Sequence, residues 1–293
     1  MRHTTYLALL LLSCLTAARA QTIDALPDAA WEKSMWISVK DAPIVTGRVD
    51  DHTRSADGAH WFYSEIKNER RVVSAKWMTT GLGVYELYLN GKIVGAEVLK
   101  PGFTHYEKTK RSFTYDITAE FRAKEGEGNT LSAQVTPGWW ADKIITPGGH
   151  VGMIGEKCAF RAVLELTYSD GSKEYIGTNT KNWKAGIAGP VKHAAIFDGE
   201  EYDARELPGF DTPDKLKTPV VNTEFKGEIL PTNGAEIYLR NDLALNPVRA
   251  YIWKDIENDN DEEYGKVVIA KEFHAGDTIT LHKDENLVVD FGQ

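Results

Sequence analysis

Apolar and polar positions alternate with a period of two through most of the middle of the chain. Tyr85, Leu87 and Leu89 alternate with Val84, Glu86 and Tyr88, which predicts a strand with one face packed and one face wet. Asn90-Gly91 follows at once. This pair predicts a two-residue type I′ hairpin, because both central residues of that turn need a positive φ. Ile93 and Val94 begin the return strand, and Phe113, Tyr115 and Ile117 alternate with Thr114, Asp116 and Thr118. Further strands are read at Trp61-Phe62-Tyr63, at 72–78, at Leu131, Ala133 and Val135, and along Phe160, Ala162, Leu164, Leu166 and Tyr168. The last exits through the turn cluster Ser169-Asp170-Gly171-Ser172, and 174–178 returns. Short strands separated by Gly, Asn and Asp signals predict an all-β fold, an antiparallel β-sandwich over residues 61–217.

The flanks read differently. Residues 1–20 have a polar start at Arg2 and His3, an apolar run from Leu7 to Leu12 and an Ala18-Arg19-Ala20 site, the layout of a secretory signal peptide cleaved before Gln21. Leu11-Leu12-Ser13-Cys14 loosely suits a lipoprotein box, but the apolar stretch continues past Cys14 into the better site. Residues 21–60 form an irregular lead-in with Trp31 and Trp36-Ile37, expected to pack across the sandwich. Pro208, Gly209, Pro213 and Pro219 break regular structure. Beyond them 218–293 is expected to start a second, incomplete β-domain, with short strands near 235–239, 249–253, 266–269, 278–281 and 287–291.

Three motifs carry a family resemblance. Gly83-x-Tyr85-x-x-x-x-Asn90-Gly91 with Val94-Gly95, Leu99-x-Pro101-Gly102-Phe103-Thr104 and Tyr115-Asp116-Ile117-Thr118 form the first. Asp198-Gly199-Glu200-x-Tyr202-Asp203-Ala204-Arg205 is the second, and Val288-Val289-Asp290-Phe291-Gly292-Gln293 the third. Together and in this order they resemble the N-terminal β-domain region of bacterial α-L-rhamnosidases, glycoside hydrolase family 78. The resemblance implies a jelly-roll-like or galactose-binding-like sandwich. It also implies a parent hydrolase that removes terminal α-L-rhamnose from plant or microbial glycans with inversion. The family's catalytic carboxylates lie in a C-terminal (α/α)6 barrel, for which this chain shows no paired helices. The chain is therefore expected to be a fragment without the catalytic domain: a secreted scaffold and carbohydrate-binding module, with a rhamnose-containing glycan and the parent's catalytic domain as partners. The rival readings are a stand-alone carbohydrate-binding protein without catalysis and a small hydrolase using a carboxylate pair on the sandwich.

Composition narrows this reading only a little. A net charge of −9 disfavours nucleic acid and anionic membranes as partners. After signal cleavage no membrane segment is expected, and the mature protein belongs in the periplasm or outside the cell. Cleavage removes Cys14, so Cys158 has no disulfide partner and is read as a small buried hydrophobe. His60, His105, His150 and His193 have no ligand spacing. With 43 Asp and Glu, the sequence selects no catalytic pair.

The substrate-binding candidates are Asn90, Trp139, Trp140 and Asp142. Thr136-Pro137-Gly138-Trp139-Trp140-Ala141-Asp142 places two tryptophans side by side, beside Gly148-Gly149. Both cannot point inward, so one is free to offer a face to a sugar while Asp142 accepts hydroxyl hydrogen bonds. The plainer alternative is that Trp139 plugs the sandwich end and Trp140 packs on a neighbouring domain. In some family members the corresponding domain holds rhamnose through calcium, using acidic and amide side chains beside the hairpin turn. Here Leu89 precedes Asn90 where a carboxylate would stand. The expectation is accordingly no cofactor and no metal, with calcium as the alternative. The acidic run 255–263 lacks the Gly and closing Glu of an EF-hand and reads as a solvated loop.

Overall fold

The computed structural model describes residues 21–48, 58–143, 150–234, 236–257, 266–274, 276–283 and 285–292. The leader, Gly148-Gly149 and the acidic run beyond Glu257 lie outside these residues. The chain divides into two compact units, Met1–Leu239 and Arg240–Gln293.

The first unit is an antiparallel β-sandwich. One sheet has seven strands, in the order Val220–Val221, Ile37–Ser38, Ala159–Tyr168, Val72–Leu82, Thr109–Asp116 and Glu228–Pro231, with Lys173–Gly177 also paired to Ala159–Tyr168. The other has five, in the order Trp183–Ile187, His60–Lys67, Gly128–Thr136, Val84–Leu89 and Lys92–Val94. Alternation works as the sequence predicts along Val84–Leu89, where Tyr85, Leu87 and Leu89 are buried and their neighbours half-buried. Leu89 pairs with Lys92 across a two-residue turn, with φ 51° at Asn90 and 76° at Gly91. That is the type I′ geometry.

Aromatic residues from both sheets meet in the core. Phe62 of the five-stranded sheet lies 5.8 Å from Phe160 of the seven-stranded one, and Trp183 and Tyr85 close on the same ring. Both outer faces are also covered, so the central strands are buried on two sides. Leu26, Ala30 and Trp31 of the lead-in pack on Met78 and Val163. Arg161 fixes this cover: its guanidinium donates to the Trp31 carbonyl at 2.5 Å, the Ser34 carbonyl at 3.1 Å and the Ser34 hydroxyl at 3.0 Å. On the other sheet Trp61 packs on Tyr88 and Phe210. A Cβ on Gly209 would stand 2.2 Å from the Trp61 ring, so only glycine lets the chain pass there.

The structure continues the first unit past the expected boundary at residue 217. Val220–Val221 pairs with Ile37–Ser38, Glu228–Pro231 runs parallel to Thr109–Asp116, and Ile237–Tyr238 pairs with Glu97–Val98. These short segments supply hydrogen bonds to strands that would otherwise present open edges. A proline-rich stretch ends regular structure locally, but it does not end a domain.

The second unit is one antiparallel sheet, with Arg249–Glu257 between Lys266–Phe273 and Asn286–Asp290. Among its described residues the buried apolar ones are Tyr251, Ile252 and Phe273.

Candidate functional site

The four sequence candidates do not converge. Asn90 sits at the hairpin tip with its side chain occupied: its amide donates to Asn129 at 3.0 Å and its carbonyl oxygen accepts from the Thr130 amide at 2.9 Å. Trp139 and Trp140 follow the far end of the Gly128–Thr136 strand. Thr130 and Thr136 are six residues apart on that strand, so the two regions are separated by about 20 Å at 3.3 Å per residue. Asp142 is buried, accepting from the Lys143 amide at 2.6 Å and the Ile196 amide at 3.3 Å. Trp140 is buried too, with its indole N–H donating to the Lys157 carbonyl and Gly155 against its ring. Of the four, Trp139 alone has a partly open ring and no structural hydrogen bond among the described residues. Its edge meets Phe103 at 6.0 Å.

Trp140 belongs to an aromatic box that the sequence did not reveal. The Lys110 ammonium lies 3.3 Å from the centre of the Tyr106 ring, 4.3 Å from Trp140 and 5.7 Å from Phe225. Lys110 is fully buried, and its Nζ has no hydrogen-bond partner among the described residues. Burial pushes its pKa down to about 6, while the ring faces attract the charged form. The box ties together three segments that are distant in sequence. Tyr106 brings the 102–109 loop, Trp140 the turn after Gly128–Thr136, and Phe225 the segment before Glu228–Pro231.

Beside this box is a pocket of about 380 Å³. The 97–105 loop forms one wall and the 232–237 segment the other, with Arg111 and Phe113 between them. The loop is fixed from beneath. Lys100 is buried, donating from Nζ to the Glu97 carbonyl at 2.7 Å and pairing with Glu86 at 3.3 Å. Tyr106 donates its hydroxyl to the Gly102 carbonyl at 2.9 Å. Phe103 stands at the rim and is 68% exposed, although Tyr106 and Trp139 both hold it edge-on.

Two carboxylates line the pocket, in different states. Glu97 is nearly saturated: it accepts from the Thr22 hydroxyl at 2.5 Å, the Tyr115 hydroxyl at 2.9 Å, the Ala96 amide at 3.1 Å and the Tyr238 hydroxyl at 3.4 Å. Burial alone would push its carboxyl up. The hydrogen bonds from Thr22, backbone and Tyr115, with the Lys100 charge, outweigh that and hold it below its ordinary value. Glu236 is different: it is half-buried, and one of its oxygens accepts from Thr232 at 2.6 Å.

The remaining signatures have local roles. Asp198 pairs with the buried Lys143 at 3.1 Å. Asp203 forms a fork with Arg205 two residues on, at 2.7 Å and 2.6 Å. Asp290 accepts from Arg249 and from the Gly292 amide, which closes the second unit's sheet. Cys158 is buried and burial raises its pKa. His60 is buried, and desolvation lowers its pKa to about 4. Among the described residues no group of three or more His, Cys, Asp or Glu is placed to hold a metal ion.

Residues 70–237 match the family model described as the alpha-L-rhamnosidase N-terminal domain. An alpha-L-rhamnosidase of Streptomyces avermitilis is 37% identical over 190 residues, which is 62% of this chain and 16% of that protein. The chain thus spans about a sixth of that relative's length. Among solved structures, the native rhamnosidase from Aspergillus terreus aligns with a TM-score of 0.62 and 26% identity, over 83% of this chain and 26% of that one. The S. avermitilis enzyme complexed with L-rhamnose aligns with a TM-score of 0.56 and 30% identity, over 68% of this chain and 19% of that one.

Proposed function

The chain belongs to the alpha-L-rhamnosidase N-terminal domain family, and from that premise we propose that it is the non-catalytic N-terminal part of an exported α-L-rhamnosidase. In this reading it is a scaffold for a catalytic domain carried elsewhere in the parent protein, and it contacts the rhamnose-containing glycan itself. The rhamnosidase relatives support the glycan, and the leader-like residues 1–20 support export to the periplasm or beyond.

One observation carries the non-catalytic reading. Hydrolysis with inversion needs an acid and a base, two carboxylates about 6.5–9.5 Å apart with a water between them. The pocket at the aromatic end offers one usable carboxylate, Glu236. Glu97 accepts four hydrogen bonds and holds its charge, so it serves neither as a proton donor nor as a free base. A site with one carboxylate can hold a sugar, but binding alone does not lower the barrier to hydrolysis.

The test is turnover of an aryl α-L-rhamnoside. Residues 21–293 should release no product above buffer, while the full parent protein should. Hydrolysis by residues 21–293 that disappears when Glu236 or another carboxylate is replaced would sink the proposal and promote the small-hydrolase reading.

A further inference from the structure

Asn-Gly occurs twice in this chain, at Asn90-Gly91 and at Asn233-Gly234, and the fold treats the two pairs in opposite ways. We infer that Asn233 is a site of spontaneous modification, where water converts the side-chain amide to a carboxylate through a succinimide. The closed hairpin shields Asn90 from the same reaction.

The dipeptide sets the chemistry. The glycine backbone nitrogen gives its proton to base and attacks the carbonyl carbon of the asparagine side chain. A five-membered ring closes, and the side-chain nitrogen leaves as ammonia. Water then opens the ring at either carbonyl, which leaves aspartate or isoaspartate. Glycine favours this step because, without a Cβ, its nitrogen is unshielded and its backbone turns freely. Tertiary structure decides the rest: the asparagine side chain must be free to swing onto the next nitrogen, and base and water must reach it.

Asn90 is half-buried and held. Its backbone amide donates to the Thr130 carbonyl at 2.9 Å. Its side-chain amide donates to Asn129 at 3.0 Å, and its side-chain oxygen accepts from the Thr130 amide at 2.9 Å. Swinging the side chain onto the Gly91 nitrogen breaks both side-chain bonds at once. Asn233 has no such restraint. It is exposed, and its side chain makes no hydrogen bond among the described residues. Gly234 has φ 80°, and a Cβ there would meet nothing within 4 Å, so nothing crowds the attacking nitrogen.

The product matters to the sandwich edge. Asn233 lines the same pocket as Glu236, so the reaction adds a negative charge to that wall. It also lies between two anchors. The Thr232 amide donates to the Ser112 carbonyl at 2.9 Å, and Ile237 pairs with Val98. Isoaspartate lengthens the main chain between these anchors by one methylene, which the Ile237–Tyr238 pairing has to absorb.

The experiment ages the whole folded chain in mildly alkaline buffer and follows it by peptide mapping with mass spectrometry and by isoelectric focusing. The peptide carrying residue 233 should gain the mass of an amide becoming an acid, with a matching acidic band. Conversion there should be at least about tenfold faster than at Asn90, which corresponds to about 1.4 kcal/mol for opening the hairpin. In denaturant, where neither pair is held, the two rates should converge. Asn233→Gln, which would have to close a larger ring, should remove the acidic band at an unchanged melting temperature. No conversion at residue 233, equal or faster conversion at Asn90 in the folded chain, or a ratio that persists in denaturant would each overturn the inference.

Discussion

The two units of this chain use the same strand grammar and reach different degrees of burial. In the sandwich, Trp77, Phe62, Tyr115 and Phe160 are essentially inaccessible to water. In the second unit Tyr251, Ile252 and Phe273 are buried, while Leu245, Val248, Val289 and Phe291 remain between 40% and 67% exposed. Alternation of apolar residues is sufficient to specify a strand, but stability comes from the second layer that the apolar face packs against. The sandwich has a second layer and then covers its outer faces with the lead-in and the 188–216 segment. The second unit, as described, is a single three-stranded sheet, the smallest size that can be stable by itself, with no second layer over its apolar face among the described residues.

The largest expected consequence is in local stability. Limited proteolysis and amide hydrogen exchange should attack residues 240–293 first and leave a resistant body from the lead-in to about Leu239. A body ending near residue 217 would place the boundary at the prolines instead. Equal protection on both sides of Leu239 would erase the contrast between the units.

Core truncation should show the same difference. Trp77→Ala removes a fully buried ring from the sandwich and should cost about 3–5 kcal/mol, read by denaturant unfolding. Tyr251→Ala in the second unit should leave the sandwich's transition where it was. A shared loss would mean that the two units unfold as one.

A smaller effect is expected at the hairpin. Gly91→Val should destabilise the sandwich by about 1–3 kcal/mol, because a β-branched residue is strained at positive φ. Space is not the obstacle, since a Cβ there would meet the Phe210 ring at an ordinary 3.5 Å. An unchanged melting temperature would show that the turn relaxes to another type.

A contrast of another kind lies in pH dependence. In the folded sandwich Lys110 has its pKa lowered to about 6 from 10.5. Between those values the unfolded chain binds the proton that the folded chain refuses, so stability rises with pH and levels off above the unfolded value. The slope is at most about 1.4 kcal/mol per pH unit, reduced by whatever the aromatic rings return to the ammonium. Lys110→Met should flatten this slope while keeping the fold. An unchanged slope would assign it to other groups.

Much of this was legible along the chain. Most strands, the Asn90-Gly91 turn and the family followed from local patterns, because each is encoded within a few adjacent residues; the strand expected near 278–281 did not form, and the chain there is irregular between Lys266–Phe273 and Asn286–Asp290. The candidate site was less legible. Phe103 was visible inside a motif, but nothing in its neighbours said that it stands open at a pocket rim. Arg111 and Glu236 are 125 positions apart and carry no motif linking them. Trp140 and Asp142 looked available as sequence and are buried in the fold, since adjacency says only that two side chains diverge, not which one reaches water.

The sequence by itself determined the class of the fold, the register of the hairpin and the kinship to rhamnosidases. Those depend on the period-two pattern, on φ preferences and on short signatures, all of them local. Tertiary structure alone decided that residues beyond the prolines still belong to the sandwich. It also decided that a lysine without a hydrogen-bond partner among the described residues sits among three rings, and that an aromatic, a carboxylate and a guanidinium share one pocket. These arise where distant segments pair at sheet edges and pack end to end, and long-range juxtaposition leaves no periodic trace in the chain.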